Sequence, residues 1–97
     1  MNEDTNINAI LVQLPLPEHI SKENVINAIA PEKDVDGLTY LNSGMLLQKA
    51  DGFIPCTPKG IIDLLDYYSI PIEGKNCLVI GRSVNVGKPL ALLLLNK

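Results

Sequence analysis

The run CLVIGRSVNVGKPLALLLL, Cys77 to Leu95, constrains the fold of this 97-residue chain more than any other stretch. Four apolar residues, Cys77 to Ile80, read as a short buried strand. Gly81 breaks that strand, and Arg82, Ser83 and Asn85 make a turn of small and polar residues. A helix-like apolar run follows from Leu90. A strand, a glycine-punctuated turn and a helix form the phosphate-holding corner of a dinucleotide-binding fold. Small residues let backbone N–H groups approach a pyrophosphate, and the helix N-terminus adds positive potential. The usual fingerprint is G-x-G-x-x-G. Here it is Gly81-Arg82-Ser83-x-x-x-Gly87, with serine at the second glycine and one extra residue. The rival motif, G-x-x-x-x-G-K-[ST], fails. Five residues separate Gly81 from Gly87, and Pro89 stands where a magnesium-binding hydroxyl is required. On this motif alone, a strand-to-helix turn with no ligand remains the alternative.

Composition narrows the class. A chain of this length supports one small core, burying about 60–65% of the unfolded surface. With a net charge of −3 and 4% aromatic residues, it lacks the basic cluster that nucleic-acid binding requires. Cys56 and Cys77 lack metal-ligand spacing, and Cys77 lies within the expected strand. No metal is expected, and a reduced, cytoplasmic setting fits better than a disulfide-stapled one. The polar start, MNEDTNIN, is not a signal peptide. Leu90–Leu95 is too short to span a bilayer, so no membrane is expected.

Taken in order, Ile7 to Leu14 (INAILVQL) has the pattern of a parallel strand buried on both faces. Pro15 and Pro17 end it. Ser21 is placed to cap a helix running to Ala30, with Val25, Ile26 and Ile29 inward and Pro31 as its stop. From Pro31 to Phe53 the chain reads as loop, with a short helix or turn at Met45–Leu47. Thr57-Pro58 is a helix opening, a hydroxyl cap followed by proline. Ile61, Leu64, Leu65 and Tyr68 then form an apolar stripe that Pro71 and Gly74 close. Alternating β and α elements give an α/β class.

Several side chains could carry chemistry. Gln13 sits at the carboxyl end of a strand, where open α/β sheets place ligands. Its amide could orient a water or an amine, or it could simply be leaving the core for solvent. Asp34 and Asp36, in KDVDG, could accept paired hydrogen bonds from an amidine-like edge such as that of a pterin, or could serve as turn residues. His19 has no neighbouring acid or cysteine and reads as an exposed loop residue. The Arg82 guanidinium could hold a 2′-phosphate bidentately, which favours NADP over NAD.

Together, LVQLPLP, PEKDVDG, F-I-PCTPKGI and VIGRSVNVGKP closely resemble the bifunctional methylenetetrahydrofolate dehydrogenase/methenyltetrahydrofolate cyclohydrolase family, in order and spacing, from about Ile10 to Leu95. The resemblance implies two α/β domains with an active site in the cleft between them. Residues 1–56 would be the C-terminal part of the folate domain. Residues 57–97 would be a connecting helix and the first β-α unit of a Rossmann-type NADP domain. Gln13 and Asp36 would be catalytic, and Gln13, Pro15 and Asp36 would bind tetrahydrofolate derivatives. Gly81, Arg82, Ser83, Val86 and Gly87 would bind NADP. The parent would be a cytoplasmic homodimer of one-carbon metabolism, serving purine biosynthesis.

The family's catalytic lysine lies in a Y-x-x-x-K motif that none of Tyr40, Tyr67 and Tyr68 supplies. The chain is therefore read as a central fragment, inactive by itself and associating, either with itself or with the rest of its parent, through Leu90–Leu95. Its rival is a non-catalytic nucleotide-binding or regulatory module. A Y-x-x-x-K motif upstream of Met1 separates the two.

Overall fold

The computed structural model describes residues 1–97 and is built from four short helices joined by long extended segments. They are α1 (Lys22–Asn27), α2 (Tyr40–Leu47), α3 (Cys56–Tyr67) and α4 (Gly87–Leu95), with a 3-10 turn at Pro31–Lys33. Helix α4 packs against both α2 and α3. The Cα radius of gyration is 14.8 Å, against about 12.5 Å for a closed domain of this length. The expected single core is accordingly small. Ile10, Ile26 and Ile29 form one buried cluster, flanked by Ile7, Val12 and Leu38, while Leu46 and Ile62 are buried elsewhere.

Both expected strands are corrected. A strand requires a partner's hydrogen-bonding ladder, and the only pairing present is one parallel bridge between Ile10 and Asp34. Ile7–Leu14 is extended but buries one face only. Ile10 is buried, whereas Leu11 is 56% exposed. At Cys77–Ile80, Leu78 and Ile80 are 87% and 94% exposed, because no neighbouring segment lies alongside. The expected β-α unit is thus an extended segment, a turn and α4.

The helices follow their signals with shifts. Ser21 caps α1 as expected, its Oγ accepting from the Asn24 N–H, but α1 ends at Asn27 rather than Ala30. In α3 the cap is Pro55, not Thr57, and no side chain caps it. Proline at the cap presets the entry, so the helix opens two residues early. Its inward stripe is rotated too. Pro58 and Ile62 are buried, while Leu64 and Tyr68 face solvent. The helix ends at Tyr67, and Ser69, whose φ of 54° is left-handed, turns the chain away before Pro71 is reached. Helix α2 is longer than expected because Thr39 caps it, accepting from the Asn42 N–H.

One buried carboxylate organises the centre. Asp34 is 1% exposed and accepts from the Leu38 N–H (3.2 Å), the Thr39 N–H (2.8 Å) and Asn42 Nδ2 (2.9 Å). Asn42 also donates to the Pro31 carbonyl and accepts from the Phe53 N–H. Next in sequence, Lys33 Nζ donates to the carbonyls of Met1, Asn2 and Asp4. Between these groups and Phe53, Gly37 has a φ of 62°, and a Cβ there would lie 2.5 Å from the Phe53 carbonyl. No other residue type fits that corner.

Burial pushes the Asp34 carboxyl up, but the hydrogen bonds from Asn42, Thr39 and Leu38 outweigh it and hold the pKa below its ordinary 3.8. The carboxylate therefore contributes its full stability above about pH 4, and that contribution drains as pH falls through the lower folded-state value. Asp34→Asn should cost about 2–4 kcal/mol at pH 7, since it sets a donor against donors in a buried site. Denaturant unfolding between pH 7 and pH 3 should show the wild type losing stability on acidification while the variant changes less.

Candidate functional site

Residues that the sequence separates by more than seventy positions meet at one cavity. Its volume is about 250 Å³, and Gln13, Asp36, Cys56, Thr57, Asn85 and Val86 are among its lining. Gln13 arrives on the extended segment, immediately before the cis Leu14–Pro15 bond. Asp36 follows the Asp34 hub, whose bonds fix the intervening turn: the Gly37 N–H donates to the Asp34 carbonyl. The two aspartates of KDVDG therefore separate in role. Asp34 is an internal hydrogen-bond acceptor, and Asp36 stands on the cavity.

Of the sequence-derived candidates, Gln13, Asp36 and Val86 share this cavity, while Pro15, Gly81, Arg82, Ser83 and Gly87 lie outside its lining. Gln13 is exposed, and its Nε2 donates to the Leu14 carbonyl at 2.9 Å, leaving Oε1 free of partners in the chain. Arg82 is exposed and makes no ion pair or side-chain hydrogen bond, so its guanidinium is available to an anion.

The Gly81–Gly87 turn is closed on itself. Gly81 has a φ of 140°, and a Cβ on Gly87 would clash with the Gly81 carbonyl, so backbone meets backbone at the start of α4. Ser83 Oγ accepts from the N–H groups of Val86 (3.1 Å) and Gly87 (3.3 Å), and the Ser83 carbonyl accepts from Lys88. With its oxygen serving as acceptor, the hydroxyl proton remains free to be donated outward. An exposed guanidinium, an unspent hydroxyl proton and a glycine-only backbone approach suit a phosphorylated dinucleotide.

Sequence reasoning missed Cys56, Thr57 and Asn85. The first two lie in PCTP, where Thr57 read as a cap; with the helix opening at Cys56, Thr57 lines the cavity instead. Cys56 is exposed, but slight desolvation together with the Asp36 carboxylate beside it pushes its thiol above its ordinary 9.0. Alkylation of Cys56 by iodoacetamide should therefore have a pH midpoint above that of a free thiol. Asp36→Asn should move that midpoint down, and a rate profile from pH 7 to pH 11 reads it.

Comparison with known proteins places these features in a family. Residues 1–36 match the catalytic domain of tetrahydrofolate dehydrogenase/cyclohydrolase, and residues 55–97 match its NAD(P)-binding domain. The chain is 54% identical over its whole length to the bifunctional protein FolD of Chlamydia pneumoniae and 56% identical to that of Thermodesulfovibrio yellowstonii. It spans 34% of each of these relatives. Among solved structures, the bifunctional FolD enzyme of Campylobacter jejuni superposes with a TM-score of 0.96 at 48% identity, covering 98% of this chain and 34% of that one. The Trypanosoma brucei FolD enzyme, complexed with NADP cofactor and inhibitor, gives 0.91 at 40% identity, covering 98% and 33%. Two domain models in series, with end-to-end identity and superposition, lead to one conclusion: the chain belongs to the tetrahydrofolate dehydrogenase/cyclohydrolase family.

Proposed function

We propose that this chain supplies part of the folate site and the cofactor turn of a longer enzyme that oxidises 5,10-methylenetetrahydrofolate with NADP. The same enzyme hydrolyses the resulting 5,10-methenyl compound to 10-formyltetrahydrofolate. The observation that carries this reading is the shared cavity, where Gln13 and Asp36 from the matched catalytic domain face Val86 of the matched NAD(P)-binding domain.

Asp36 would accept the paired N–H donors of the pterin edge, fixing the ring in the cleft. Gln13 would present its free carbonyl oxygen to a water or an amine, orienting it toward the electrophilic methenyl carbon. No lysine or histidine lines the cavity, so proton handling at that carbon needs a group beyond these lining residues. NADP, when bound, supplies the hydride acceptor. Arg82 would hold its 2′-phosphate, while Ser83 and the Gly81–Gly87 backbone would hold its diphosphate. The extended Cys77–Ile80 segment, the turn and α4 would be the opening unit of a Rossmann-type domain, and Pro15 would border the folate. We place the enzyme in the cytoplasm, as a homodimer.

Two substitutions in the full-length enzyme test the assignment from both sides of the cleft. Arg82→Ala should weaken NADP by about 1.5–3 kcal/mol and NAD far less, because only NADP carries the 2′-phosphate. Cofactor titrations giving equal losses would remove Arg82 from that role. Asp36→Asn should lower tetrahydrofolate affinity by about tenfold, since one acceptor becomes a donor facing donors, and should leave NADP binding unchanged. Unaltered folate binding would return Asp36 to a turn residue.

A further inference from the structure

Lys22 and Asn85, 63 positions apart, meet side chain to side chain: Lys22 Nζ donates to Asn85 Oδ1 at 3.1 Å. Lys22 opens α1, in the part matched to the catalytic domain, and Asn85 lies on the turn of the NAD(P)-binding part. The contact therefore crosses the cleft at the cavity Asn85 lines. An ammonium has three donors and no acceptor, so it tolerates only the oxygen end of an amide. Lys22 thereby fixes which way the Asn85 amide is turned. Flipping it would set NH₂ against NH₃⁺. Asn85 Nδ2 donates to nothing in the chain, so its two N–H groups are unspent. Asp36 and Asn85 both line the cavity, so a carboxylate acceptor and an amide with unspent donors border the same space.

We infer that Asn85, held in orientation by Lys22, is a specificity-determining donor for an oxygen acceptor of the bound dinucleotide. Lys22 is a positioning residue that acts only through Asn85. This deepens the NADP reading above and rests on it. An acceptor oxygen, whether carbonyl or phosphate, gains a neutral N–H···O bond there. A ligand presenting a donor at that point would meet two N–H groups. A plain interdomain strut makes a different demand, since a strut asks only for a partner to the Lys22 ammonium, which a carboxylate would serve better than an amide.

The experiment is NADPH fluorescence titration of the full-length enzyme and three variants. Asn85→Ala should weaken NADPH about 3- to 10-fold, and Asn85→Asp should weaken it further although it keeps a partner for Lys22. Lys22→Met should weaken NADPH about 2- to 5-fold by freeing the amide to flip, and should add nothing to Asn85→Ala in the double variant. Tetrahydrofolate affinity should stay as in the wild type throughout. Wild-type binding by Asn85→Asp, additive losses in the double variant, or a loss confined to folate would each overturn the inference while leaving the NADP reading intact. A wild-type enzyme that does not bind NADPH would overturn both.

Discussion

The structure depends on a carboxylate that water does not reach. Asp34 gathers two backbone N–H groups and the Asn42 amide, and Asn42 reaches on to Pro31 and Phe53, so three stretches of chain close around one charge. Such a centre is directional, unlike an apolar cluster. Each partner must arrive at a set angle, which fixes where Asp36 and Leu38 stand and hence where the cavity wall runs. The apolar contribution is slight by comparison, with three isoleucines in the largest cluster. Polar specification takes over where the hydrophobic core is thin.

Local chemistry was legible in the sequence wherever one side chain speaks for its own backbone. Ser21 caps α1, Gly37 and Gly87 stand at backbone approaches that exclude a Cβ, and Gln13 and Asp36 do reach one cavity. What escaped depends on neighbours. The apolar runs Ile7–Leu14 and Cys77–Ile80 announce residues that favour burial, but a strand exists only when a second strand supplies its ladder. The α3 stripe was rotated because packing against α4, not periodicity alone, chooses which of two overlapping apolar faces turns inward. Asp34 and Asp36 were indistinguishable two residues apart, because burial and partners, not residue type, separate an internal acceptor from a cavity wall.

The site is assembled at a junction rather than within one element. Extended backbone brings Gln13, the Asp34 hub brings Asp36, the Pro55-led opening of α3 brings Cys56 and Thr57, and the turn before α4 brings Asn85 and Val86. Each contributor is positioned by its own local rule, and their convergence follows from how the segments cross. The two family models match residues on either side of the cavity, 1–36 and 55–97.

The way Ser83 ties down the turn ahead of α4 bears on how a ligand would be received. Its hydroxyl and carbonyl already engage the N–H groups of Val86, Gly87 and Lys88, and the Gly81 and Gly87 backbones already touch. The loop is preorganised, so little conformational entropy is lost there when a dinucleotide arrives. Affinity gained in this manner depends on the length of the loop as well as on its individual contacts. The gain or loss of a single residue would undo that closure even with every contacting side chain kept.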